Sequence, residues 1–340
     1  MSAVDRRAVA LGFLGAGAVF AVLLYLVDLS RVRRALLQAD PPLLAVTLAV
    51  AVLWLVAWGL TLRFVLDAVG VEVPYLTAFF VYTAAVFANN VTPFGQAGGE
   101  PVTAYLISKI SSVNYETGLV AIASVDVVNV IASVGLVLFA VGYYATSVAI
   151  GSGLKVALGS VVVLVAVIFG VFALIWRYRT TIVDRISGPL AGVIDRVDVG
   201  PLSRFGADEE RVARRLRGFF ADVEVVATDR TRLTAAFASS TAGWLLQAVA
   251  LVAAFAAIGQ TLPFVVAVFV IPLAYLAGMT PLPGGLGGIE AAFVALLVPT
   301  IGASAAVITA GVIVFRVAVY WMPIALGGLA TTVFGTRLDL

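Results

Sequence analysis

Six stretches of this chain, roughly 8–28, 43–66, 118–144, 154–176, 233–257 and 304–333, stay apolar for about twenty residues or more. An α-helix needs about 20 mostly apolar residues to cross a bilayer. Only helices and closed barrels satisfy their own backbone N–H and C=O groups in lipid, so repeated runs of this length leave little choice of fold. Charge agrees. Charged residues are 12% of the 340 positions and hydrophobic residues 62%, against about 25% and 45–50% in soluble domains. Of the 40 charges, 11 Arg and 9 acidic residues fall within 177–232. The chain reads as an all-α polytopic membrane protein, a single transmembrane domain over 1–340. Its first run follows Arg6 and Arg7 as in a signal peptide, but it is too long for an h-region and no small-residue cleavage site follows, so it is expected to be retained as a span.

Cys and His are absent. That excludes thiol or imidazole nucleophiles, imidazole acid–base chemistry and thiolate or imidazole metal sites. No cofactor and no metal are implied. The net charge of +2 comes from loop arginines rather than from a basic face, so no nucleic-acid partner is expected.

Two further apolar segments, about 75–92 and 264–280, are shorter. Each runs into a Pro/Gly-rich break and resumes at about 101–113 and 289–300. The first break reads Asn89-Asn90-Val91-Thr92-Pro93-Phe94-Gly95-Gln96-Ala97-Gly98-Gly99-Glu100-Pro101. The second reads Thr280-Pro281-Leu282-Pro283-Gly284-Gly285-Leu286-Gly287-Gly288-Ile289-Glu290. Both open on Thr-Pro, pass through glycine to Gly-Gly, and place a Glu at the start of a helix; the second carries one inserted residue before Gly-Gly and another, Ile289, after it. This predicts an internal repeat of about 190 residues, with halves at about 43–144 and 233–333 and the charged 177–232 segment between them. Paired interrupted segments in two halves point to a transporter-type site. The plainer reading is a pair of interfacial loops between full spans.

Arginine sets orientation. The 177–232 segment belongs in the cytoplasm, while the loops at 142–153 and 258–263 lack Lys and Arg and belong outside. If each broken unit is a re-entrant hairpin, both termini are cytoplasmic and the halves are inverted. If each unit spans, the N-terminus flips and the halves remain opposed. Within 177–232, Val212, Leu216, Phe219, Phe220 and Val223 recur at helical spacing beside Arg211, Arg214, Arg215 and Arg217. This predicts an amphipathic helix that acts as a connector, or that rests on anionic lipid.

Few charges interrupt the apolar runs: Glu100, Asp126, Glu290 and Arg316, with Lys109 and Arg63 nearer the ends. A charge at the bilayer centre costs about 2.5–3.5 kcal/mol on insertion scales, so it turns inward and finds a partner. Glu100 and Glu290 either cap their helices or line a site with Arg316. Asp126 is expected to face Arg316, since each otherwise lacks a membrane partner. Asp126 and Asn129 share a helix face, where Asn129 reads as helix glue and the alternative is a proton or ion relay. Asn90, Thr92, Thr280 and the glycines Gly98, Gly99, Gly284, Gly285, Gly287 and Gly288 complete the candidate substrate-binding set. Their backbone N–H groups are open to phosphate oxygens, or they serve close helix packing. No phosphate-loop Lys-Ser/Thr follows the last glycine.

Thr92-Pro93 with Gly98-Gly99-Glu100, and Pro281-Leu282-Pro283-Gly284-Gly285-Leu286-Gly287-Gly288-Ile289-Glu290, resemble the lysylphosphatidylglycerol synthase transmembrane-region family, also called flippase-like domain proteins. The resemblance covers nearly the whole chain. It implies a multi-spanning domain that moves modified phospholipids or lipid-linked intermediates between leaflets. In full-length synthases such a domain precedes a soluble aminoacyl-transferase. The chain reaches Leu340 soon after its last span, so that activity is not carried over. The family's acidic–Arg pair after the first motif is also missing, for Asp126 is followed by Val127, leaving Arg316 to supply a buried guanidinium.

The expected function is a lipid translocase of the cell membrane, with no catalytic residues and membrane lipids as partners. A second reading is a non-transporting scaffold for a separate lipid-modifying or glycosyl transferase. A third, a membrane enzyme using Glu100 and Glu290 as acid and base, has the composition against it.

Overall fold

The computed structural model describes residues 29–92, 96–111, 113–147, 173–196, 228–279 and 282–329, with 159, 163, 166–167, 170–171, 210, 213–214, 217–218, 220 and 224. The 8–28 run, most of the 154–176 run, Thr280 and most of the amphipathic stretch lie outside these residues. Among the described residues the chain is helical and has no strand.

Helix α1 (Leu29–Leu37) leads into α2 (Pro41–Ala68). The first broken unit is α3 (Tyr75–Val91) and α4 (Gln96–Ile110), followed by α5 (Tyr115–Ser147). Helix α6 (Arg179–Arg196) lies in the charged connector. The second half comprises α7 (Arg230–Ala257), α8 (Phe264–Leu276), α9 (Gly288–Ile301) and α10 (Ala305–Arg316). A π-turn at Val317–Trp321 then carries the last helical run on to Leu329.

Five helical segments are long and apolar enough to cross a membrane: Pro41–Ala68, Tyr115–Tyr143, Arg230–Ala257, Pro283–Ile301 and Ala305–Leu329. Four coincide with the runs expected from sequence. The fifth joins the 3₁₀ turn at Pro283–Gly285 to α9, whose own bounds, Gly288–Ile301, agree with the short limb expected at about 289–300. Left-handed glycines at 284, 285 and 287 break the helical course between the turn and α9.

Ahead of the breaks the two halves keep an offset of 189 residues. Asp40 caps α2, accepting from the Leu43 amide at 3.4 Å, and Asp229, 189 residues later, caps α7 by accepting from the Arg232 amide at 3.0 Å. Such side chains satisfy amide groups that the first helical turn leaves free. The same offset relates Gly70 to Gly259, both left-handed at φ 80° and 71° where α2 and α7 end. It relates Pro74 to Pro263, which open α3 and α8. Past the breaks the offset is 190, relating Tyr115 at the start of α5 to Ala305 at the start of α10.

Helices α2 and α7, equivalent in this register, pack on each other antiparallel. The Asp40 amide donates to the Ala257 carbonyl at 2.7 Å, the Trp58 indole to the Ser240 carbonyl at 3.2 Å, and the Thr61 and Ser239 hydroxyls meet at 2.9 Å. Partner numbers fall along α7 as they rise along α2. Equivalent helices in opposite directions are related by an axis across the bundle, which is the geometry of an inverted repeat.

Leu53, Leu76, Phe80 and Phe139 project outward, as lipid-facing residues do, while Trp58, Tyr82, Phe255, Phe293 and Phe315 fill the interior. Gly243 permits the close approach of α2 and α7: a Cβ there would sit 2.2 Å from the Trp58 indole nitrogen. Small residues at crossings are the usual means of membrane helix packing. In the connector, Arg217 pairs with Asp184 at 3.0 Å and Arg179 with Glu224 at 3.8 Å, tying α6 to the 210–224 stretch.

Candidate functional site

Glu290 is the third residue of α9, where the helix has spare amides and a positive dipole end. Its Oε2 accepts the Gly287 amide at 2.6 Å. Its Oε1 accepts Arg316 Nε at 2.6 Å, and the two side chains are 4% and 7% exposed. Arg316 closes α10 immediately before the π-turn, a local widening common at functional positions. Its Nη2 donates to the Gly284 carbonyl at 3.3 Å, and its guanidinium carbon stands 4.4 Å from the centroid of the Tyr320 ring. Arg316 therefore supplies the buried guanidinium, and Glu290 is its carboxylate partner.

The two breaks meet at this point. The Tyr320 hydroxyl donates to the Asn90 carbonyl at 3.1 Å, joining the second half to the end of α3. Gly284 lies beneath that contact at φ 53°. A Cβ there would stand 2.4 Å from Tyr320 Cε2 and 3.0 Å from Asn90 Oδ1. Gly285 and Gly287 are also left-handed, and Gly288 opens α9, so this glycine run sets the path that brings the Gly284 carbonyl to Arg316.

The first break is built differently. Helix α4 starts at Gln96, not at 101, so Gly98 and Gly99 lie in its first turn with Glu100 just after. Gly99 makes this early start possible, because a Cβ there would fall 2.6 Å from the Asn89 backbone nitrogen. Thr92 turns its hydroxyl back to the Ala88 carbonyl at 2.7 Å. Thr280 lies outside the described residues.

Asp126 does not face Arg316. Its electrostatic neighbour is the Glu100 carboxyl, and Asp126 Oδ2 is buried with no hydrogen-bond partner. The reason is the order of packing. Asp126 on α5 meets the neighbouring α4, whereas Arg316 on α10 meets the neighbouring α9.

Between these pairs lies a polar and aromatic seam that sequence reasoning largely passed over. Asn129, read as helix glue, accepts the Ser240 hydroxyl at 2.7 Å and the Trp244 indole at its carbonyl at 3.0 Å. The Tyr275 hydroxyl donates to Gln247 at 2.7 Å. Rings at 5.1–6.4 Å run from Tyr82 through Trp58, Trp244 and Tyr275 to Phe293. Asn129 and Gln247, amides within apolar runs, are the signals in the sequence for this seam, and only Asn129 is picked out by sequence reading.

Comparison with known proteins agrees with the architecture. A UPF0104 membrane protein of Methanothermobacter thermautotrophicus is 29% identical over 337 residues, covering 94% of this chain and 93% of the relative. A second UPF0104 membrane protein of that organism is 27% identical over 340 residues, covering 98% and 95%. Glycosyltransferase AglD of Haloferax volcanii is 29% identical over 329 residues, 88% of this chain but 50% of the relative. The family described as the lysylphosphatidylglycerol synthase TM region matches residues 9–327, and the chain belongs to that family.

Proposed function

We propose that this chain is a lipid translocase of the cell membrane. It moves a modified phospholipid or lipid-linked intermediate between leaflets through the polar site where the two broken units meet. The observation that carries this reading is the buried Glu290–Arg316 pair, held to the Gly284 carbonyl and linked through Tyr320 to Asn90. A buried ion pair is weak evidence for stability alone, since apolar packing of similar volume often stabilises as well. Here it stands at the junction of two oppositely directed halves, where a headgroup entering from either leaflet would meet it. A phosphate competes for Arg316 and an amino group for Glu290. No covalent step is needed, and we read the chain as a transporter without enzymatic activity.

Reconstitution tests this. Fluorescent headgroup-labelled probes, including an aminoacyl-phospholipid, an anionic phospholipid and a polyprenyl-phosphate sugar, are placed in proteoliposomes and quenched from outside by an impermeant reductant. We expect headgroup-selective movement in wild type and at least a tenfold loss in well-folded Glu290→Gln and Arg316→Lys. Equal rates in liposomes with and without protein, for every probe, would reject the proposal.

One relative favours a second reading. Glycosyltransferase AglD is about twice the length matched here, so a membrane scaffold serving a separate transferase fits that similarity. Under that reading, Glu290→Gln leaves transferase binding and product yield intact.

A further inference from the structure

The two ends of the bundle carry charge very differently. Helix α7 starts at Arg230, continuous with the arginine-rich 177–232 connector, and ends at Ala257. The Asp40 amide donates to the Ala257 carbonyl at 2.7 Å, so the corner between α1 and α2 stands at the end opposite the connector. Buried Val32 seats α1 on Ala306 and Ala310 of α10, and Ile258 packs against the same cluster. The turns 258–263 and 301–304, which share this end, contain no charged residue. Asp40 lies here as well, engaged as the cap of α2. Against that background α1 presents Arg31, Arg33 and Arg34, all exposed.

Membrane topology does not call for these arginines. Basic residues gather on the cytoplasmic side of membrane chains, and the connector, with 11 of the 21, takes the other end. The repeat does not call for them either. At the offset of 189, Arg33 corresponds to Asp222 and Ala35 to Glu224, so the stretch before α7 carries acids where α1 carries a base. Nor is the helix held by charge alone, since its apolar side rests on α10. The basic character belongs to α1 itself.

The apolar neighbours of the arginines say what kind of anion fits. Leu29, Arg33 and Leu37 are four residues apart and share one face of α1. Leu29 is 56% exposed and Leu37 73%. A guanidinium between two exposed leucines suits the boundary of headgroups and acyl chains, where a long basic side chain keeps its stem in apolar surroundings and its head among polar groups. Guanidinium groups bind phosphate oxygens through paired N–H donors. A small anion from water would leave both leucines bare.

We propose that α1 is a docking surface for anionic phospholipid, on the side of the membrane opposite the connector. Arg33 and Arg34 take phosphodiester oxygens, and Leu29 and Leu37 lie against the acyl chains. This surface is separate from the Glu290–Arg316 site and requires no lipid movement by the chain.

Quenching by brominated lipid tests it. The chain has no native cysteine, so a fluorophore on Gln38→Cys, an exposed position just past α1, reports lipid at this surface. The purified full chain is placed in phosphatidylcholine nanodiscs doped with brominated phosphatidylglycerol or, at equal mole fraction, brominated phosphatidylcholine. One arginine near an anionic surface is worth about a fivefold gain in binding. Wild type should therefore prefer brominated phosphatidylglycerol at least tenfold, and should lose most of that preference at about 1 M salt, where exposed charges are screened. Arg33→Gln combined with Arg34→Gln should lower the preference at least fivefold. A second fluorophore on Glu72→Cys, at the connector end, should be quenched alike with and without the glutamine changes, which certifies an intact fold. Equal quenching by the two lipids in wild type, or a preference that survives both glutamine substitutions, overturns the docking surface. So does loss of the preference on adding millimolar inorganic phosphate, which marks a site for a free anion rather than a lipid.

Discussion

Arg316 holds in the second half of this chain the position that Asp126 holds in the first, 190 residues earlier. The two residues with the strongest claim on each other by charge are thus counterparts rather than partners. Arg316 is satisfied by the glutamate of its own half, Glu290, whereas Asp126 has the like-charged Glu100 for a neighbour and an unpartnered Oδ2. An inverted repeat makes this natural, for it duplicates local contacts and carries each into the opposite direction. The halves differ in charge: one holds a salt bridge and the other a pair of acids.

Breaking the buried salt bridge leaves an uncompensated charge, which costs about 3–5 kcal/mol. Glu290→Gln and Arg316→Met should each lower the unfolding temperature in detergent, and the double variant should recover much of the loss. A cycle pairing Asp126→Asn with Arg316→Met should show coupling no larger than about 0.5 kcal/mol, as for independent sites. Thermal unfolding of the six proteins measures both.

Gly284→Ala separates backbone strain from crowding when compared with Gly70→Ala. Both positions are left-handed, at φ 53° and 80°, where a Cβ costs about 1–2 kcal/mol. Nothing lies within 4 Å of a Cβ at Gly70, whereas at Gly284 it meets Tyr320 at 2.4 Å. Gly284→Ala should be the more damaging of the two. It should also weaken probe movement, because Tyr320 must leave the Asn90 carbonyl. Unfolding temperature and translocation rate are the readouts.

The inverted repeat predicts accessibility. Glu72 and Thr261 are equivalent, 189 residues apart, and both are exposed in the turns after α2 and α7. The chain has no native cysteine, so Glu72→Cys and Thr261→Cys can be labelled singly. An impermeant maleimide applied to sealed cells should modify one and spare the other. Labelling of both from one side would rule out opposed halves.

Asp229 gives a pH signature at the edge of the bundle. The Arg232 amide, with its guanidinium at 2.9 Å, holds the Asp229 carboxyl below its ordinary value. The folded state favours the ionised form, so this contribution is complete above the ordinary aspartate pKa of about 3.9 and fades as pH falls through the lower folded value. Wild type and Asp229→Asn should therefore keep a constant stability difference from pH 5 to 8. Below about pH 4 the wild type alone loses this share. Unfolding temperature against pH measures it.

Membrane class, the described spans and the presence of two related breaks were legible in the sequence. Hydrocarbon thickness fixes helix length, and α2, α5, α7 and α10 begin within a few residues of the runs that announced them. Glu100, Asp126, Glu290 and Arg316 were legible as well, since a charge in lipid is costly enough to require a reason. Which of them meet was not. Pairing depends on which helices are neighbours, and opposite charge alone favoured Asp126 with Arg316. The start of α4 at Gln96 was hidden for a related reason: glycine weakens a helix locally, yet here Gly99 is needed so that α4 can lie against Asn89. Composition and periodicity are local properties that determined the helices. The partners of the buried charges, and the seam through Trp58, Trp244 and Tyr275, were decided only when the two halves packed against each other.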